Sequence, residues 1–144
     1  MKAKILSPGS GQALNVIGDN QTVRLTGEDT GGLFALVEQA NSPGVGVPLH
    51  VHENEDELYR VLEGNIEFKV QDESVTATAG TTIFLPRNVP HEFMTVGDAP
   101  AKTLLMVFPA GAERMFLELN ELPAGPPDMT KVLEICGRFG VSFL

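Results

Sequence analysis

The chain has 144 residues, 42% of them hydrophobic and 20% charged, which is the composition of a globular chain long enough to bury a core without disulfide staples. Its net charge is −9, and its ten lysines and arginines are scattered singly, which argues against nucleic acid and anionic membranes as partners. Cys136 is the single cysteine, so no internal disulfide can form. No run of about 18 apolar residues could span a bilayer. The opening MKAKILSPGSG has too short an apolar stretch for a secretory leader, so a cytoplasmic location is expected.

Glycines and prolines punctuate short apolar runs, which is the pattern of an antiparallel β protein. Residues 13–17 and 21–25 read as strands flanking a turn at Gly18-Asp19-Asn20. Residues 33–39 form the next strand, and Asn41-Ser42-Pro43-Gly44 ends it. Residues 57–62 and 65–70 flank Glu63-Gly64, followed by 74–79, 82–85, 91–96 and 102–108. Strands this short and this closely spaced predict an all-β sandwich or closed barrel over about residues 10–108.

The period changes over about 110–144. Met115, Leu119 and Leu122 recur at helical spacing within 111–122, as do Met129, Val132, Leu133, Cys136 and Phe139 within 128–139. Asp128 is the expected N-cap of the second helix and Gly140 its C′ residue. The two helices should pack on the outside of the barrel or cover an edge. Cys136, Met94, Met106 and Met115 read as buried apolar filling.

The chemistry concentrates in three histidines and one glutamate. On a strand, i and i+2 share a face, so His50 and His52 aim at one point inside a barrel. Glu53-Asn54-Glu55-Asp56 is acidic and polar and reads as a solvated turn into the next strand. Glu57 opens that strand, with Tyr59 and Val61 on its face. Glu53 and Glu55 are its rivals, and strand phase favours Glu57. His91 opens another strand after Pro86-Arg87-Asn88-Val89-Pro90, with Phe93 and Thr95 in its phase. Arg87 and Asn88 read as surface residues. Three imidazoles and one carboxylate suit a divalent transition metal such as Mn, Fe, Co, Ni, Cu or Zn. An octahedral ion there would keep two positions open, as catalytic sites do.

These residues resemble the cupin superfamily. The first cupin motif runs Gly, five residues, His-x-His, three or four residues, Glu, six residues, Gly; Gly44, His50, His52, Glu57 and Gly64 satisfy every spacing. The second is matched by Gly80, Pro86 and His91, with Asn88 where Gly is usual and Thr95 where Asn is usual. Asn tolerates a left-handed turn, so Asn88 can replace that glycine. The resemblance implies a single cupin domain over 1–144: a double-stranded β-helix, or jelly-roll barrel, with two short C-terminal helices. It implies one divalent metal on His50, His52, Glu57 and His91, and a substrate pocket containing Tyr59, Val61, Phe93 and Thr95. Within the superfamily the chain resembles small quercetin-dioxygenase-like cupins, a resemblance in which Glu57 would be the catalytic base toward a small enolisable or aromatic substrate. A metal-dependent isomerase or lyase, and a ligand-binding protein without catalysis, are the alternatives. A small-molecule substrate and a homodimer are the implied partners.

Overall fold

Polar–apolar alternation along the longest strands sets the architecture. In the computed structural model, which describes residues 1–144, β10 (Ala101–Phe108) buries Ala101, Thr103, Leu105 and Val107 and turns the residues between them outward. The same period runs through β2 (Asp19–Leu25), β3 (Ala35–Asn41), β5 (Asp56–Glu63) and β9 (His91–Val96). The remaining strands are β1 (Gln12–Val16), β4 (Gly46–His52), β6 (Asn65–Val70), β7 (Glu73–Ala77), β8 (Thr82–Leu85) and β11 (Val141–Phe143). Three helices complete the chain: a single turn, α1 (Gly27–Thr30), then α2 (Ala112–Asn120) and α3 (Met129–Arg138).

All pairings are antiparallel. One sheet has the order β1-β2-β3-β10-β5-β8 and the other β11-β4-β9-β6-β7. Their inner faces share one hydrophobic core, centred on Val37, Val61, Phe68, Leu85, Leu105 and Val107. This is the expected jelly-roll arrangement. At one side, between the β1 edge and the β11 edge, the sheets are bridged by the C-terminal segment. There α2 packs on β1, α3 packs on β11, and the two helices touch. Asp128 caps α3 through hydrogen bonds accepted from the amides of Thr130 and Lys131, as its position predicts. β11, which the sequence pattern does not reveal, pairs with the edge of β4.

Two local departures matter for the site. The β1–β2 turn is Ile17-Gly18, both at positive φ, with Val16 paired to Asp19. Asp19 therefore belongs to a strand and is buried, where the sequence pattern places it in a turn. The second departure lies in β4. Val47 pairs with Phe93, but His50 pairs with His91, so one extra residue is inserted between them. This β-bulge at Pro48-Leu49 reverses the strand's phase. Val47 faces inward before it, and His50 and His52 face inward after it.

Candidate metal centre

Each of the four chemistry-bearing side chains is set by its strand. β4 supplies His50 and His52, β5 supplies Glu57, and β9 supplies His91; all four are buried. One nitrogen or oxygen from each lies within 4.8 Å of those of the others. The three rings gather edge to face and stacked, with centroids 4.3 Å apart for His50–His91, 5.2 Å for His50–His52 and 5.9 Å for His52–His91.

The outer nitrogen of every ring is already engaged. His50 Nδ1 lies 2.8 Å from the Pro48 carbonyl and His91 Nδ1 lies 3.0 Å from the Val89 carbonyl. A carbonyl only accepts, so both rings carry their proton on Nδ1 and leave an Nε2 lone pair for the centre. His52 Nδ1 lies 3.3 Å from Glu55 Oε2. The bulge contributes here too, because the Pro48 carbonyl that orients His50 lies within it.

Asn88 holds the loop below. It adopts φ 64°, the left-handed conformation in which Asn can stand in for Gly, and its amide donates to the His52 carbonyl at 2.7 Å. Arg87 is exposed and makes a two-pronged ion pair with Asp56, at 3.1 Å for each prong.

Electrostatics sorts the four groups. Burial, followed by the neighbouring His91 and His52, pulls the His50 pKa down to about 4. Burial pulls His52 the same way, but the Glu57 charge and the Glu55 contact together outweigh it and leave His52 raised. Burial pushes Glu57 up, and the facing histidines, His52 foremost, outweigh that, so its carboxyl is held below its usual value. Glu57 is thus a carboxylate inside an apolar barrel.

These residues fit a metal. Glu57 Oε2 and His91 Nε2 are buried without a hydrogen-bond partner, although they lie 3.0 Å apart. With the His91 proton on Nδ1, two lone pairs face one another. A cation between them resolves this. Two ligands each about 2.1 Å from an ion, at right angles, sit about 3 Å apart. The cluster could hold one divalent metal, and the nitrogen-rich donor set favours a transition metal over Ca or Mg.

The cluster opens on a cavity of about 300 Å³. Tyr59, Phe93 and Leu105 line it from the strands, Met115, Phe116 and Leu119 from α2, and Phe143 from β11. Tyr59 packs against Phe68 and Phe93 with ring centroids 5.4 and 5.6 Å away. Burial, with the charges of Glu57 and Asp19, pushes the Tyr59 hydroxyl well above its usual pKa, so it stays a donor. Val61 and Thr95 face inward and are buried, but neither is among the residues lining the cavity. Val61 is packed into the core cluster, and Thr95 is bonded by its backbone to Val45 and Gly44.

Three features escape sequence reading. Glu55, expected in a solvated turn, is 5% exposed and touches His52. Its loop is held by the far end of the chain, through Asn54 Nδ2 to the Phe139 carbonyl and the Glu53 amide to the Gly140 carbonyl. Met115 is buried, as expected, but it lines the cavity together with other helix residues and with β11, whereas Met94, expected to be buried, lies on the outward face of β9 and is 50% exposed. Finally, Asp19, Gln21 and Gln39 add a polar patch to the cavity wall. Their signal was present: Asp19, Gln21 and Val23 share one strand phase, as do Val37, Gln39 and Asn41.

Comparison with known proteins agrees with this architecture. The Cupin domain family model matches residues 38–108, a span that contains all four clustered side chains. The chain belongs to the cupin superfamily. An uncharacterized protein of Methanocaldococcus jannaschii is 31% identical over 75 residues, covering 52% of this chain and 60% of that one. Quercetin 2,3-dioxygenase of Bacillus subtilis is 33% identical over 72 residues, covering 50% of this chain and 21% of the enzyme. The chain thus spans less than two thirds of either relative. Among solved structures, the polyketide cyclase RemF from Streptomyces resistomycificus superposes with a TM-score of 0.63 at 25% identity, over 74% of this chain and 80% of that one. Cupins of different activities share this fold, so the activity must be argued from the site.

Proposed function

We propose that this cupin is a metal-dependent dioxygenase of the quercetinase type, acting on a small enolisable or aromatic substrate. The observation that carries the reading is Glu57: a buried carboxylate clustered with three histidines at one end of a mainly apolar cavity. His50, His52, Glu57 and His91 would hold the metal, which when bound supplies Lewis acidity and open coordination positions. Glu57 accepts the proton of the substrate's acidic hydroxyl. The His50 and His91 rings stay in place because backbone carbonyls fix their Nδ1 atoms. Phe93, Leu105 and Phe116 hold the flat apolar body, and Tyr59 offers a donor beside it. Met115 and Leu119 of α2 and Leu133 of α3 complete the apolar wall of the cavity. The likeness of 72 residues of the chain to quercetin 2,3-dioxygenase supports this choice of chemistry.

The test is oxygen uptake by protein loaded with Fe, Mn, Ni or Cu, given flavonols and β-diketones. Uptake coupled to substrate loss is expected. Glu57→Gln should lower it by about a hundredfold or more while retaining most of the metal. A second reading, a cyclase, isomerase or lyase using the same site without oxygen, is favoured by the likeness to RemF. Turnover that persists anaerobically would select it and reject the dioxygenase.

A further inference from the structure

The outer face of the six-stranded sheet is apolar where a solvated sheet face would be polar. An antiparallel sheet with one side in water turns polar residues outward. The five-stranded sheet does so, with Glu67, Lys69 and Glu92 linked by ion pairs on its outer face. On the six-stranded sheet, strand register instead lines up Leu25 of β2, Leu36 of β3, Met106 of β10, Leu58 of β5 and Phe84 of β8 in one continuous row. The residues flanking Leu36, Met106 and Leu58 along their strands are buried, so the row faces outward. Phe84 is 59% exposed, and none of the five belongs to the hydrophobic core or packs against it. Met106, read from the sequence as buried filling, is therefore a surface residue at the middle of this row.

The next row along the same strands is Thr22, Glu38, Leu104, Arg60 and Thr82. Both rows are centred on β10 and carry similar residue types on either side of it, except in charge. Glu38 lies on one side of Leu104 and Arg60 on the other. Glu38 has Arg24 Nε 3.7 Å away but keeps its side chain 42% exposed, and Arg60 is exposed, donating one bond to Thr82 Oγ1.

This pattern is self-complementary. A half-turn about an axis lying in the face along β10 lays a second copy on the first with the strand order reversed. β3 then meets β5, β2 meets β8, and β10 meets itself. At one level Glu38 lies over Arg60 of the second copy and Arg60 over its Glu38. At the next, Leu36 meets Leu58, Leu25 meets Phe84, and Met106 meets Met106. A half-turn about an axis across the strands lays each strand on itself, and brings Glu38 and Arg60 no opposite charge.

We propose that this face binds a second copy of the chain in a two-fold dimer, burying the Leu36, Leu58, Met106 and Phe84 row between the copies and closing two reciprocal Glu38–Arg60 ion pairs. Burial of the apolar row supplies the affinity, and the charges fix the axis. Leu58 is the outward neighbour of Glu57, so the second copy backs the strand that carries the inward carboxylate. The proposal requires no particular reaction at the metal centre.

The test is sedimentation velocity of the full chain over a dilution series. At about 10 μM, where interfaces of standard size are mostly associated, the wild type should sediment with twice the 15.5 kDa mass of one chain. Arg60→Glu opposes two glutamates at each pair and should raise the dissociation constant by about tenfold or more. Adding Glu38→Arg reverses both signs and should restore the dimer. Met106→Lys should give a monomer. Lys69→Glu, the same charge change on the other sheet, should leave the dimer intact. A monomeric wild type would overturn the proposal even if a variant failed to fold. A dimer as strong in Arg60→Glu and Met106→Lys as in wild type would overturn it too, as would equal weakening by Lys69→Glu or a folded double variant that does not recover.

Discussion

Glu57 Oε2 and His91 Nε2 face each other 3.0 Å apart in the buried centre, and neither has a hydrogen-bond partner. The Val89 carbonyl causes this by holding the His91 proton on the far side of the ring. Two acceptors forced together are an unfavourable arrangement for an apolar core. They are the natural arrangement for cation ligands, and the behaviour of the centre follows from that.

Glu55 should act on the metal through His52. Its carboxylate is the only group engaging His52 Nδ1, and it orients the ring and raises its basicity. Glu55→Leu should weaken metal binding by about 10–100-fold, measured by competition with a chelator. Glu55→Gln, which keeps an acceptor, should recover most of the affinity. Equal affinity in wild type and Glu55→Leu would mean that the contact has no role.

The metal-free protein should lose stability in mild acid through His50. Its pKa is about 4 in the fold against 6.5 in an unfolded chain. Because the folded value is depressed, the contribution is fully present above pH 6.5 and disappears as pH falls toward about 4. His52, whose pKa is raised, acts in the opposite sense and offsets part of the loss. Urea midpoints of wild type and His50→Leu, compared from pH 7 to pH 4.5, isolate the His50 part. It should be on the order of 2–3 kcal/mol. Parallel pH profiles for the two proteins would refute it.

Gly46 should be irreplaceable for a packing reason. It pairs with Met94 across β4 and β9, and a Cβ there would meet the Phe93 carbonyl oxygen at 2.0 Å. Gly46→Ala must push the strands apart just before the bulge. A destabilisation of about 3 kcal/mol or more is expected in chemical denaturation, together with weaker metal binding. A neutral effect would mean that β4 can shift freely at this point.

Much of the centre was legible because strand periodicity is a local property. The spacing of His50 and His52, and the phases of Glu57 and His91, carry over directly into inward-facing side chains. The bulge was not legible, since Pro48 and Leu49 read equally well as regular edge strand, yet it decides which face His50 takes. Glu55 was hidden because its neighbours are charged, and what buries it is a loop tied down by Phe139 and Gly140. Contacts across 85 residues leave no trace in a local pattern. Asp19 was hidden by its place after Gly18, where a turn is the natural reading. The helices were legible from their period, but the cavity they line was not, because a helix stripe does not say which surface it covers.

The most direct test of the centre is elemental analysis of protein purified without chelator and loaded with Fe, Mn, Ni or Cu. One ion per chain is expected for wild type, with stoichiometry lost in His50→Ala and His91→Ala while β-sheet circular dichroism is retained. A wild-type protein that binds none of these ions stoichiometrically, or a His91→Ala variant that binds as well as wild type, would contradict the assignment of His50, His52, Glu57 and His91 as a metal centre.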